Sequence, residues 1–187
     1  MPWIKQINEN DATGKLSEVY DELKNARGKV SNIMKINSLD AITMKNHLDL
    51  YLSIMYNKTD ANIDREEKEL IAVVVSALNN CSYCIHHHAE ALNHYWKDDA
   101  KINALISDHK SIDFPIRTLA ILNYAEKLTL TPAMVNEYDV QNLRIHDITD
   151  EDILNINLVV SYFNFVNRIA NGLGVEFSED EVKGYKY

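Results

Sequence analysis

The sequence predicts an all-α fold, and three observations carry that prediction. Apolar residues recur at helical spacing through most of the 187 residues, which is the signature of amphipathic helices. No stretch alternates apolar and polar residues in the manner of a half-buried strand. Only 5 Gly and 3 Pro are available, so few tight turns can be built and long helices are favoured.

The elements follow in order. Thr13 is placed to cap a helix carrying Leu16, Val19, Tyr20 and Leu23, which stops near Gly28. Asp40 to about Tyr56 reads as a longer helix with Leu48, Tyr51, Leu52 and Met55 along one stripe. Asp64 followed by Glu67 has the spacing of a capping box and opens a helix through Leu70, Val73, Val74 and Ala77. Asn79 or Asn80 then caps a helix running toward His94. Lys97 to about Ile106 forms a short helix, Pro115 opens one over Leu119–Leu128, and Glu137–Leu143 forms another short one. Thr149 caps a last long helix through Ile153, Ile156, Val160 and Phe163 to about Asn171, ended by Gly172 and Gly174. From Glu176 onward the chain reads as a mostly polar tail.

An internal repeat organises these helices. Ile63–Asn79 (IDREEKELIAVVVSALN) aligns with Ile148–Asn164 (ITDEDILNINLVVSYFN) at an offset of 85, with 7 of 17 positions identical. The chain is therefore expected to be one domain over residues 1–187. Repeat one covers about 40–95 and carries both thiols; repeat two covers about 115–174 and carries none. At the same offset Glu69, Cys81, Cys84 and His88 face Leu154, Val166, Ile169 and Leu173. Chemistry is expected in the first copy, with the second completing the core.

Composition narrows the function. Apolar content of 46% and charged content of 25% are ordinary for a globular chain. A net charge of −9 argues against nucleic acid and anionic membranes. No apolar run approaches the roughly 18 residues that span a bilayer, and MPWIKQINENDATG lacks the apolar segment of a secretory signal. A cytoplasmic protein is the expectation. In that reducing compartment a C-x-x-C pair points to redox or metal chemistry rather than a structural disulfide.

The only two cysteines lie in NNCSYCIHHHAEAL, Asn79–Leu92. With Asn79 or Asn80 as the cap, Cys81 falls in the first turn, Cys84 one turn on and His88 one turn further. Positions i, i+3 and i+7 share a helix face. The sulfurs can then approach bonding distance, the helix N-terminus favours thiolate, and His88 can take a proton from Cys84 directly or through a water. A histidine acting as base gains from a carboxylate that fixes its tautomer. Glu69, on the preceding helix at an inward position, is the candidate, and its repeat counterpart Leu154 suggests a core-facing carboxylate; a surface glutamate that aligns with Leu154 by chance is the alternative. His86 and His87 leave the face of Cys84 and His88 and are expected as exposed or interface residues, with a functional role the alternative; His94 is a helix-end residue. Asn164, Asn167 and Arg168 either tie the two repeats together as buried polar groups or contact the site.

Glu69, Cys81, Cys84 and His88 read as E-x11-C-x2-C-x3-H, which resembles the motif of the alkyl hydroperoxidase D (AhpD)-like, carboxymuconolactone decarboxylase superfamily. ATGKLSEVYDEL, REEKELIAVVVSALNNCSYCIHHH and ILNINLVVSYFNFVNRIANGLGVE all look like its uncharacterised peroxidase-related branch, so the likeness spans nearly the whole chain. The resemblance implies an AhpD-like helical bundle, a homo-oligomer and dithiol chemistry that reduces a hydroperoxide or a partner's disulfide. It implies Cys84 as nucleophile, Cys81 as the residue that closes the disulfide, and Glu69 and His88 as the proton relay. An external dithiol or protein reductant restores the thiols, and no cofactor is implied. Typical members carry a histidine just before the second cysteine, where this chain has Tyr83. Two other classes stay open: a non-enzymatic redox sensor or interaction module, and a decarboxylase or lactone-processing enzyme. A zinc site is disfavoured, because only one cysteine pair exists and its nearby histidines sit on the same helix.

Overall fold

The structure, a computed structural model, describes residues 2–56, 61–178 and 181. The remainder of the expected tail, 179–180 and 182–187, lies outside the described residues. Nine α-helices follow one another among the described residues: α1 (Lys15–Arg27), α2 (Asn32–Lys35), α3 (Ala41–Tyr56), α4 (Arg65–Leu78), α5 (Ser82–Trp96), α6 (Asp99–Ser107), α7 (Ile116–Leu130), α8 (Glu137–Ile145) and α9 (Asp150–Leu173). Short 3-10 turns occur at Glu9–Asp11, His109–Ser111 and Pro132–Met134, and none of the described residues forms a strand. No helix among them is long and apolar enough to cross a membrane.

α4 is the centre of the bundle, packed by α5, α7 and α9. Every residue from Lys68 to Ser76 is buried, where an amphipathic helix would keep a wet face. Burying Leu70, Ile71, Val73, Val74 and Val75 there supplies about 1.5–3 kcal/mol each. A second, smaller apolar cluster joins α1, α2 and the start of α3 through Leu23, Met34, Met44 and Leu48. The seam between this cluster and the main core is where the site forms.

Local chemistry explains the helix ends, including those the sequence placed differently. Gly28 closes α1 in the left-handed region at φ 90°, as expected, but the N-cap is Gly14 at φ 56° rather than Thr13. Asp64 accepts the Glu67 amide at 2.9 Å. Glu67 pairs with Arg117 instead of reaching back, so only half of that capping box exists. Thr149 makes a complete box with Asp152. Lys97 at φ 52° ends α5, so α6 begins later than expected, capped by Asp98. α9 runs through Gly172 and stops at Gly174, φ 64°. α2, one turn long, left no periodic signal in the sequence.

α4 and α9 are joined by a polar strip inside their packed faces. The Asn79 side-chain amide donates to Asn164 Oδ1 and Asn167 Oδ1, each at 3.0 Å. Asn167 in turn donates to Ser76 Oγ at 3.2 Å. Of the expected trio, Asn167 is fully buried and Arg168 is exposed. Buried amides left unpaired are costly, so the strip fixes the register of the two helices. Asn79→Ala and Asn164→Ala should therefore be non-additive. Urea unfolding of the two single variants and the double variant should show a coupling of about 1 kcal/mol; strict additivity would remove the strip's role.

Candidate active site

The loop from α4 to α5 sets both sulfurs. Asn80 adopts φ 51°, a conformation asparagine tolerates better than most residues. The chain then turns so that Cys81, not Asn79 or Asn80, is the N-cap of α5. Its sulfur accepts the Cys84 amide at 3.4 Å, occupying the place of a serine or threonine oxygen. Both cysteines are free thiols and buried.

The two sulfurs are set in opposite directions. The Cys84 thiol hydrogen-bonds the Cys81 sulfur, and this lowers the pKa of Cys81 below that of an ordinary thiol. The same bond, followed by burial and the charge on Cys81, pushes Cys84 well above the ordinary value. The Asn167 side chain reaches both sulfurs and favours their charged forms. The pair thus leans toward charge on the sulfur at the helix cap and toward the neutral thiol on Cys84. The helix N-terminus does favour a thiolate, but on the capping sulfur.

Behind the sulfurs lies the acid–imidazole pair. His88 Nδ1 is 2.6 Å from Glu69 Oε2. Glu69 is wholly buried and its other oxygen accepts from Arg65 Nε at 2.8 Å and Nη2 at 2.5 Å. Burial alone would raise the carboxyl pKa, but His88 and Arg65 outweigh it and hold Glu69 below the usual range. An ionised Glu69 requires hydrogen on Nδ1 of His88, which leaves Nε2 as the basic nitrogen of the neutral ring. The ring is held edge-on by Phe163 at 4.4 Å. No hydrogen bond joins His88 to either sulfur among the described residues.

A cavity of about 70 Å³ has Cys84, His88, Glu69 and Arg65 in its wall, and Cys81 is not part of it. It has room for a few waters. Leu23, Met34 and Leu48 close it from the smaller apolar cluster, and Tyr162, Phe163 and Val166 from the main core. Arg27 and Lys29 also line it, giving a cationic rim on an acidic protein.

Several contributors escaped the sequence reading. Arg65 precedes Glu69 by one helical turn, a spacing at which opposite charges pair, so its signal was present. His87 lies half-buried in the cavity wall instead of on an outer face, with Nε2 at 2.5 Å from Glu181. His86 is exposed, as expected, and stacks on Phe177 with ring centroids 3.6 Å apart. Glu181, expected in the tail, accepts from Tyr83 Oη and from the Asn32 amide, each at 3.0 Å. Tyr83 Oη also accepts the Ile33 amide at 3.1 Å. Its hydroxyl is thus committed to tying α5 to α2. The burial of Glu69 was expected from its alignment with Leu154, yet Leu154 is 58% exposed. Glu69 is buried because α4 is central, not because its partner position is.

Among the described residues no three His, Cys, Asp or Glu side chains are grouped to hold a metal ion.

Residues 44–127 match the model of the carboxymuconolactone decarboxylase family. The uncharacterized protein YdfG of Bacillus subtilis is 26% identical over 115 residues, which is 61% of this chain and 78% of that protein. A crystal structure described as an alkylhydroperoxidase AhpD core, the uncharacterized peroxidase-related protein of Ralstonia eutropha JMP134, superposes with a TM-score of 0.85. The two are 24% identical, and the match covers 99% of this chain and 98% of that one. The debrominase Bmp8, in complex with 2,3,4-tribromopyrrole, shares the fold with a TM-score of 0.76 at 18% identity, over 96% of this chain and 97% of its own.

Glu69→Gln should cost about 3 kcal/mol at neutral pH, because Arg65 loses its buried counter-charge. The carboxyl pKa is lowered from 4.5 on folding. Its stabilisation is therefore complete above pH 4.5 and lost as the pH falls through the folded value. Urea midpoints of wild type and variant should converge in acid; a gap independent of pH would contradict the ionised carboxylate.

Proposed function

We propose that this chain, which belongs to the AhpD-like, carboxymuconolactone decarboxylase superfamily, is a thiol-dependent oxidoreductase that reduces a hydroperoxide or a disulfide through Cys84 and Cys81. One observation carries the reading: Cys84 and the Glu69-supported His88 open into the same cavity, and Cys81 is hydrogen-bonded to Cys84 from behind. A substrate in that cavity meets only one of the two sulfurs.

The cycle follows from the proton positions. His88 Nε2 takes the proton of Cys84 through a cavity water, and Glu69 and Arg65 stabilise the imidazolium that results. The Cys84 thiolate attacks the terminal oxygen of R–O–O–H. The S–O bond forms, the O–O bond breaks, and sulfur loses two electrons. The departing alkoxide recovers the proton from His88 and leaves as an alcohol. Cys81, whose pKa is held below the ordinary thiol value, releases its proton to water and attacks the Cys84 sulfur of the sulfenic acid as a thiolate. Hydroxide departs, is protonated to water, and a Cys81–Cys84 disulfide remains. An external dithiol or a protein reductant exchanges with that disulfide and restores both thiols. With a disulfide substrate, the first attack gives a mixed disulfide, which Cys81 resolves in the same way.

Tyr83 takes no part in this relay. Its hydroxyl is held by Ile33 and Glu181, and a phenol is a poor base near neutrality. No flavin, nicotinamide or metal is needed, since the two sulfurs carry the electrons. The two-repeat division, about 40–95 and 115–174, belongs to this reading as well: repeat one supplies the chemistry and α9 of repeat two supplies the wall and Asn167. We propose a cytoplasmic homo-oligomer. Leu154, Leu158 and Phe165 form an exposed apolar stripe along α9 that supports a contact between copies.

Cys84→Ser should reduce peroxide turnover with a dithiol donor to background. Cys81→Ser should allow one attack per chain and then stop, with the sulfenic acid on Cys84 trapped by dimedone and located by mass spectrometry. Equal activity in the two variants, or a trapped sulfenate on Cys81 in the Cys84 variant, would reverse the assignment.

A further inference from the structure

We propose that Tyr162, oriented by His47, is the hydrogen-bond donor that the cavity presents to the oxygen displaced from the substrate. The inference rests on the peroxidase reading above and adds a residue pair that the relay does not use. Tyr162, on α9, lines the cavity together with Cys84. Its Oη is 2.8 Å from Nε2 of His47 on α3. Both residues are buried, at 6% and 5% exposure. His47 is Tyr162's hydrogen-bond partner among the described residues, and His47 Nδ1 has none.

The orphan nitrogen decides which way the hydroxyl points. Burial lowers the His47 pKa to about 4, so the ring is neutral and carries one N–H. Hydrogen on Nδ1 would bury an unpaired donor and would make Tyr162 spend its own hydrogen on Nε2. Hydrogen on Nε2 leaves the Nδ1 lone pair unpaired and frees the tyrosine hydrogen, which belongs to a side chain lining the cavity, where a water or the substrate can accept it; an N–H sealed at Nδ1 has no such outlet, and orphaned buried donors are rare. His47 Nε2–H therefore donates to Tyr162 Oη. The tyrosine hydrogen is left without a protein acceptor, and Tyr162 is one of the residues that line the cavity. Burial also holds the phenol far from ionising, so it donates without giving its proton away. Phe165, edge-on at 5.8 Å, and Tyr162, at 5.7 Å, fix the imidazole plane.

A donor at that point has a task in the proposed cycle. As Cys84 attacks one peroxide oxygen, the other departs with the electron pair of the O–O bond. Tyr162 O–H stabilises the negative charge as it develops, and the proton that completes the alcohol comes from His88. Tyr162 is thus a catalytic residue and His47 a positioning residue.

The test compares two reactions of the same sulfur. Oxidation by tert-butyl hydroperoxide displaces an oxygen; alkylation by iodoacetamide displaces iodide and has no use for the donor. Tyr162→Phe should slow the oxidation of Cys84 about 100-fold, the scale of losing one donor to a developing oxyanion. Its alkylation should change less than about 2-fold. His47→Leu should show the same split, and His47→Gln, which keeps an N–H toward Tyr162, should restore oxidation. Equal slowing of both reactions, or no slowing of either, would overturn the inference while leaving the oxidoreductase reading in place. If Tyr162→Phe fails to fold by circular dichroism, the His47 variants decide the question by the same ratio. A wild-type protein whose thiols ignore the hydroperoxide would overturn the peroxidase reading and this inference together.

Discussion

The Glu69 carboxylate, fully buried between Arg65 and His88, is the constraint on which the rest of the site depends. An ionised carboxylate cannot stay in a helical core without partners. Arg65, one turn earlier on α4, neutralises one oxygen, and His88 on α5 binds the other. That second bond fixes the angle of α5 against α4 and the tautomer of its histidine. It also determines which nitrogen faces the cavity. Pairs of this kind are weak evidence of stability, since apolar packing often serves as well. At the centre of this bundle the pair holds the His88 ring in one orientation beside the cavity.

The two sulfurs divide their work by location rather than by kind. Cys81 caps α5 and is sealed from the cavity; Cys84, a turn later, reaches it. The cap favours the charged form of the sulfur outside the cavity, while the Cys81 sulfur and burial hold the one that lines it toward the neutral thiol. The cavity itself exists because two apolar clusters meet imperfectly, α1 to α3 on one side and the main core on the other.

Much of this was legible in the sequence, and the exceptions share a cause. Long amphipathic helices were readable because their period reports their own burial, as were the Asp64 and Thr149 caps. Glu69 and His88 were readable as partners, although the Leu154 argument for Glu69 was unsound: α9 keeps a wet face where α4 has none. The cap of α5 was misplaced because Asn79 and Asn80 are common caps and cysteine is not, yet Asn80 was needed at positive φ. The polarity of the thiol pair then followed from that one-residue difference. Glu181 against Tyr83, and His47 against Tyr162, join residues 98 and 115 positions apart. No local pattern carries contacts at that range.

The account is tested most directly by long-range nitrogen-15 NMR of the His88 imidazole in the reduced protein. Glu69 as an ionised acceptor predicts hydrogen on Nδ1 whenever the ring is neutral, with Nε2 the nitrogen that gains and loses the proton. A neutral ring with its hydrogen on Nε2 would mean that no basic nitrogen faces Cys84, and the proton route described above would not exist.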